Sequence, residues 1–78
     1  MREKNLTVII TFVSTTQAMA MESRGRKTGF EGRIIPVPRE ISASCGLAWK
    51  CSGQNQDTVE KYLREEDLEY EGIYQILM

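Results

Sequence analysis

Positions 6 to 12 of the chain, Leu-Thr-Val-Ile-Ile-Thr-Phe, are β-branched or aromatic at every position after the first. Such side chains favour a β-strand, in which successive residues point to opposite faces of a sheet. Val8, Ile10 and Phe12 would share one face, and Ile9 adds apolar character to the other. Because a strand that is apolar on both faces belongs inside a sheet, this segment predicts a central first strand.

A helix is expected after this strand. One of residues 14–16, Ser-Thr-Thr, can cap its N-terminus, and the helix would continue to about Lys27 and end at Gly29. The polar stretch 23–26 contains a glycine, which costs about 1 kcal/mol relative to alanine inside a helix. The first helix is therefore predicted from its caps more than from its apolar stripe.

Residues 30–37 form a second strand pattern, but proline interrupts it at position 36 and follows it at position 38. Proline cannot donate a backbone hydrogen bond to a neighbouring strand, which confines this segment to the edge of a sheet. Residues 46–51 form a third strand with Leu47, Trp49 and Cys51 on one face. Free cysteine is among the most buried residue types, so Cys51 is interpreted as a small core residue.

A second helix is predicted to start at Asp57, with Glu60 in the position of a capping-box partner. Its inward stripe, at positions i, i+3 and i+4, consists of Val59, Tyr62 and Leu63. Residues 69–76 supply a last strand, and Gly72 is expected to form a bulge or bend in it.

The resulting order, β-α-β-β-α-β, predicts an α+β fold of the ferredoxin-like sandwich type, with an antiparallel sheet and two helices on one face. Strands one and three would be central and strands two and four would lie at the edges. The 78 residues are expected to form a single domain, 1–78. Because a chain of this length is near the lower limit for an independent core, homodimerisation is a reasonable expectation.

Composition narrows the classes of function. The chain has no histidine, which excludes a Ser–His or Cys–His catalytic pair within one chain. A net charge of −1 gives no long-range attraction to nucleic acid or to an anionic membrane, and no apolar run approaches the length of a membrane span. The N-terminal segment is interpreted as a strand of a cytoplasmic protein and not as a signal peptide.

The residues 38–48, Pro-Arg-Glu-Ile-Ser-Ala-Ser-Cys-Gly-Leu-Ala, place a cysteine among small and polar neighbours just before the third strand. Arg39 and the loop amides near Ser44 and Gly46 could stabilise a thiolate on Cys45, and Ser42 and Ser44 could donate hydrogen bonds. Equally, Cys45 could be a partly buried residue beside a tight turn. An extended third strand would keep Cys45 and Cys51 too far apart for a disulfide.

Three blocks of the sequence are similar to a family of small bacterial proteins, the selenium/sulfur (Se/S) carrier protein-like family. The blocks are Ser14-Thr15-Thr16 with Ala18, the segment 36–48 with its P-R-E-I-S-x-S-C-G-L-A motif, and Glu69-Tyr70-Glu71-Gly72-Ile73-Tyr74. The chain departs from the family pattern at residues 23–26, where a leucine pair is expected, and at Cys51, where a larger apolar residue is usual.

The resemblance implies a carrier or accessory protein more than a classical enzyme. Cys45 would accept a chalcogen from a cysteine desulfurase or similar donor as a persulfide or perselenide, and would pass it to an acceptor enzyme. The alternative is a non-catalytic regulatory module that binds a ligand or a protein through the same loop. RNA binding on the sheet is disfavoured, since the third strand lacks the basic-aromatic signature. No cofactor is expected, and two cysteines supply only half of a tetrahedral metal site.

Overall fold

The structure is a computed structural model that describes residues 6–41, 43, 46–52 and 55–77. Within these residues the chain forms four strands and two helices in the predicted order. Their bounds are β1 Leu6–Thr11, α1 Thr15–Thr28, β2 Arg33–Pro36, β3 Leu47–Ser52, α2 Gln56–Glu65 and β4 Gly72–Leu77.

The four strands form one sheet in the order β2-β3-β1-β4, and all three neighbouring pairs are antiparallel. This order places β1 and β3 at the centre and β2 and β4 at the edges, as the sequence predicted. Pro36 lies in the edge strand β2 opposite Leu47. The α+β fold is confirmed, and its strand order is that of the ferredoxin-like sandwich.

The helices pack on one face of the sheet and form the larger core. Alternate residues of β1 and β3 supply the sheet side of this core, while α1 and α2 each contribute two apolar side chains. The buried members are Val8, Ile10, Phe12, Ala18, Met21, Trp49, Cys51, Val59 and Leu63. The inward stripe predicted for α2 is therefore correct at Val59 and Leu63.

The opposite face of the sheet is covered at its centre by the connection between β2 and β3. Ile9 and Ala48 are fully buried there, and Ile41 packs against them with 7% of its surface exposed. Both faces of β1 are therefore buried, which is the reason for its continuous β-branched run.

The caps of α1 agree with the sequence prediction. Ser14 is the N-cap, and its hydroxyl accepts a hydrogen bond from the backbone N–H of Gln17 at 3.4 Å. Gly29 follows the helix with a φ of 77°, in the left-handed region that a residue without a Cβ adopts at little cost.

The prediction that α2 starts at Asp57 with Glu60 as its capping-box partner was wrong, since the N-cap lies two residues earlier. Asn55 is the N-cap, since its side-chain oxygen accepts from the backbone N–H of Thr58 at 2.7 Å, and Gln56 is the first helical residue. Asp57 instead lies in the first turn, where its negative charge is favourable near the positive end of the helix dipole. Because Asn55 and Asp57 are both good capping residues and lie close together, the sequence left the choice between them ambiguous.

The bend expected at Gly72 lies one residue earlier. Glu71 adopts the bend, and its N–H donates to the carbonyl of Thr11 at 2.6 Å. Gly72 is then paired with Thr11 as the first residue of β4, and the ladder continues in register to Leu77.

The indole of Trp49 explains the glycine within α1. A Cβ atom on Gly25 would approach the Trp49 ring to 3.0 Å, so the absence of a side chain lets the helix lie directly on the indole. Gly32, just before β2, has a φ of 143°, and a Cβ there would clash with the Trp49 ring and lie 2.6 Å from the Lys50 carbonyl oxygen. Trp49 is 3% exposed between these two glycines.

We expect Gly32→Ala to lower the free energy of unfolding by about 3 kcal/mol, since it combines a backbone that favours glycine with a clash against the indole. Gly29→Ala is the matched control, because Gly29 also has a positive φ but a Cβ added to it would meet no atom within 4 Å. Its expected cost is about 1 kcal/mol. Urea titrations followed by circular dichroism measure both values, and equal losses would contradict the role given to Trp49.

Candidate functional site

The segment 37–46, which we call the motif loop, connects β2 to β3 and is closed at its base. The N–H of Val37 donates to the carbonyl of Gly46 at 3.1 Å, which extends the β2–β3 pairing by one further bond. The N–H of Ile41 donates to the carbonyl of Pro38 at 3.0 Å, so that Arg39 and Glu40 form the centre of a turn.

Ile41 anchors this loop to the sheet. Its side chain packs on Ile9 and Ala48, whereas Arg39 and Glu40 before it are exposed to solvent. The alternation of charged and apolar residues in Pro-Arg-Glu-Ile therefore has a structural cause, since one side chain must reach the sheet while its neighbours remain hydrated.

Two of the five site residues predicted from the sequence lie in the described part of the motif loop. Arg39 is exposed and forms no ion pair with any other described residue. Gly46 is exposed at the loop exit, and a Cβ placed on it would meet no atom within 4 Å. The predicted residues Cys45, Ser42 and Ser44 lie outside the described residues, so their roles stay predictions.

The register of the sheet shows which other segments share this end of the molecule. Thr11, the last residue of β1, is paired with Ala48 on one side and with Gly72 on the other. The exit of the motif loop, the end of β1 and the start of β4 therefore lie side by side. Since α1 begins four residues after Thr11, its N-terminus is at the same end.

Gln17 connects α1 to the segment before β4, and the sequence interpretation did not include it. Its side-chain oxygen accepts from the N–H of Val13 at 2.9 Å, and its amide nitrogen donates to the carboxylate of Glu69 at 3.0 Å. The spacing Ser14-x-x-Gln17 is a capping-box pattern, which was the available signal for this residue. What the sequence alone did not contain was its distant partner, Glu69.

A shallow groove of about 220 Å³ lies between the start of α1 and the segment that connects α2 to β4. Its lining residues are Thr16, Gln17, Ala20, Asp67, Leu68 and Glu69. The connection after α2 thus reaches the same end of the sheet as the N-terminus of α1. A negative charge at this end would be stabilised by the dipole at the N-terminus of α1 and destabilised by the dipole at the C-terminus of α2.

Cys51 is enclosed in the helix-side core. Its side chain is fully buried, its sulfur accepts from the indole Nε1–H of Trp49 at 3.2 Å, and its thiol donates to the carbonyl of Glu31 at 3.2 Å. Burial raises the pKa of this thiol to about 11, with a smaller contribution from the Glu31 charge, and the hydrogen bond from Trp49 opposes the rise. Cys51 is a free thiol, so its prediction as an unpaired core residue is confirmed.

The family model described as "Putative Se/S carrier protein-like" matches residues 7–75. The chain belongs to this family. The match extends from β1 into β4 and includes the whole motif loop. No curated protein and no solved structure matches the chain.

The sequence blocks that are similar to the Se/S carrier family meet at this end of the sheet. The three blocks that carry the resemblance are the start of α1, the motif loop and the segment that enters β4. Gln17, which lies within the first block's segment, binds Glu69 of the third block. Thr11 is paired with Gly72 of the third block and with Ala48 of the second. Parts of all three blocks therefore lie at one end of the fold.

Neither helix in the described part of the chain has the length and the apolar character needed to cross a membrane. The described residues also contain no group of three or more side chains that could hold a metal ion.

The raised pKa of Cys51 predicts a loss of stability at alkaline pH. The unfolded thiol has the ordinary pKa of 9.0 and the folded thiol a pKa of about 11, so the unfolded state releases its proton first as the pH rises. The stability that the protonated Cys51 thiol contributes is fully present below pH 9 and is lost between pH 9 and 11. Over that range the free energy of unfolding falls with a limiting slope of about 1.4 kcal/mol per pH unit.

Urea titrations across this pH range would compare Cys45→Ser with Cys45→Ser/Cys51→Ala. Because the other titrating groups are common to both proteins, the difference between the two curves isolates Cys51. Parallel curves from pH 8 to pH 11 would show that the thiol is not held protonated by the fold.

The anchoring role of Ile41 predicts a loop that opens independently of the core. Ile41→Ala should lower the free energy of unfolding by about 2 kcal/mol and should speed hydrogen exchange at the Val37 amide relative to the Ile10 amide. The matched control is Ile34→Ala, which removes an apolar side chain on the helix side of β2. An equal relative effect in both variants would show that Ile41 does not hold the motif loop.

Proposed function

We propose that this member of the Se/S carrier family carries sulfur or selenium on Cys45, as a persulfide or perselenide, in the cytoplasm. The chalcogen would come from a cysteine desulfurase or a similar donor and would pass to an acceptor enzyme. Cellular reductants keep cytoplasmic thiols free, which a carrier thiol requires between its cycles.

The observation that carries this proposal is the environment of the other cysteine. The chain has two cysteines, and Cys51 is fully buried with a pKa raised to about 11. A nucleophilic sulfur must be both ionised and accessible to a partner protein, and Cys51 is neither. A chalcogen carried on a thiol of this chain would therefore be carried on Cys45.

The described part of the motif loop supports the same assignment. Gly46, the residue after Cys45, is exposed and has open space around its Cα atom, so that a partner could approach the backbone closely. The bond between Val37 and Gly46 and the anchor at Ile41 hold the loop at its base and at its middle. A loop held in this way can present a side chain without a large cost in ordering entropy.

The transfer itself requires no cofactor. The thiolate of Cys45 would attack the terminal sulfur of a donor persulfide, a new S–S bond would form, and the donor's own S–S bond would break with its electron pair leaving on the donor thiolate. An acceptor thiolate would repeat the same exchange on the loaded Cys45. No net oxidation or reduction occurs in either step.

Charge and hydrogen bonding near the thiolate would lower the barrier to this exchange. Arg39 is an exposed cation in the motif loop that is free of ion pairs within the described residues, and we assign it to the stabilisation of the loaded or attacking sulfur. Ser42 and Ser44 are proposed as hydroxyl donors to the same sulfur, and the amide of Gly46 as a backbone donor.

Intact-mass spectrometry after incubation with a cysteine desulfurase and cysteine tests this proposal. The wild-type protein should gain the mass of one sulfur atom, the gain should map to Cys45, and a thiol reductant should remove it. Cys45→Ser should gain nothing, whereas Cys51→Ala should load like the wild type because its thiol takes no part.

Two further results distinguish the candidate functions. Arg39→Gln should load more slowly, by about threefold to tenfold, with an unchanged free energy of unfolding because Arg39 is exposed.

A ligand- or protein-binding module would instead keep its affinity for its partner in Cys45→Ser and would carry no sulfur in the wild type. Sulfur loaded on Cys51, or no sulfur loaded on the protein at all, would contradict the carrier proposal.

A further inference from the structure

The two edges of the sheet differ in how they are protected from pairing with another strand. The edge strand β2 contains Pro36, is followed by Pro38 and begins with Arg33, which lies directly opposite Lys50. Prolines and cations on an edge are the usual means by which proteins prevent further strand addition. A second strand could not extend the sheet readily at this edge.

The other edge, β4, has none of these protections. Its sequence Gly-Ile-Tyr-Gln-Ile-Leu contains no charge and no proline, and its six residues stay in register with β1 from end to end. Among the described residues, five large apolar side chains are exposed, and three of them lie on β4 or just before it: Tyr70, Tyr74 and Leu77. A regular, uncharged and apolar edge is one that another strand can extend.

We propose that β4 pairs with β4 of a second copy of this chain, which forms a twofold-symmetric dimer with a continuous eight-stranded antiparallel sheet. The partner is a second copy because the edge is compatible with itself. The strand has no charges that would oppose each other, and a small domain gains buried apolar surface by such pairing.

The helix beside this edge is also compatible with a second copy. A groove of about 230 Å³ lies along α2 and the segment before β4, and its lining includes Glu60, Arg64 and Tyr70. The residues Asp67 and Leu68 separate this groove from the one that α1 lines, so it is on the flank of α2 that faces away from α1. This flank carries the carboxylates of Glu60 and Asp67 together with the cation of Arg64, so a second copy would bring an opposite charge for each sign.

The alternation of side chains between the two faces of β4 selects the register of the β4–β4 pair. Antiparallel partners that lie opposite each other must point to the same face of the sheet, so the twofold axis passes through a residue and its symmetry mate. Centring the pair on Gln75 places Tyr74 opposite Ile76 and Ile73 opposite Leu77 of the second copy. This register pairs every apolar residue of β4 after Gly72 with another apolar residue.

The dimer does not use the two strands that the motif loop connects. The loop connects β2 to β3, and β2 is the edge strand farthest from β4 in the order β2-β3-β1-β4. The strands that begin and end each loop therefore lie away from the new β4–β4 pair, and neither loop requires the other. The dimer is independent of the carrier function, since Cys45→Ser should dimerise as the wild type does.

Cross-linking at the proposed axis tests the interface directly. In a Cys45→Ser background, Gln75→Cys should form a disulfide-linked dimer under mild oxidation with copper phenanthroline, because opposed residues of an antiparallel pair have Cα atoms about 4.5 to 5.5 Å apart. The matched control is Arg33→Cys in the same background, which places an equally exposed cysteine on the β2 edge and should remain uncross-linked.

Charge complementation at the same position supplies a second test. Sedimentation equilibrium should show a dimer for the wild type, and Gln75→Glu and Gln75→Lys should each weaken it by about fivefold, as expected for like charges directly opposite each other. An equal mixture of the two variants should restore the dimer. A wild type that stays monomeric, or a dimer that neither variant weakens, would overturn the proposal, as would equal cross-linking at positions 33 and 75.

Discussion

The indole of Trp49 determines how closely α1 lies against the sheet. Gly25 of α1 and Gly32 before β2 leave the space that the ring occupies. The ring also donates its N–H to Cys51, whose thiol donates to the carbonyl of Glu31, so the polar atoms of this buried pair are hydrogen-bonded. A glycine that weakens α1 as an isolated helix is therefore favourable in the folded protein, because a side chain there would displace the indole.

Burial on both faces of β1 has a consequence for the motif loop. The helices cover one face, and Ile41 of the loop covers the centre of the other over Ile9 and Ala48. The segment that resembles a carrier motif is therefore also part of the core. Its flanking charges can serve a partner, while Ile41 cannot be exchanged without loss of stability, so the demands of function and of packing act on adjacent residues of one turn.

Much of the architecture could be predicted from the sequence because local patterns determine it. The prolines at 36 and 38 placed β2 at an edge, the apolar character of Ile9 and Ile10 placed β1 at the centre, and the alternation of β3 buried Cys51. Three features depend instead on contacts between distant residues. They are the packing of Trp49 against Gly25, the packing of Ile41 on the sheet and the hydrogen bond from Gln17 to Glu69. At the candidate site, the sequence supplied Cys45 as a hypothesis, and the structure supports it through the environment of Cys51.

The burial of Cys51 gives the carrier proposal its selectivity. At pH 7, a thiol with a pKa of about 11 is ionised in roughly one molecule in 10,000, so Cys51 in the folded protein offers a donor almost no nucleophile. The hydrogen bond from Trp49 favours the thiolate but does not overcome desolvation. A carrier needs its second thiol to stay unreactive, because a chalcogen that moved to a buried thiol would be lost to the acceptor. The same packing that fits α1 onto Trp49 would therefore keep Cys51 out of the proposed exchange.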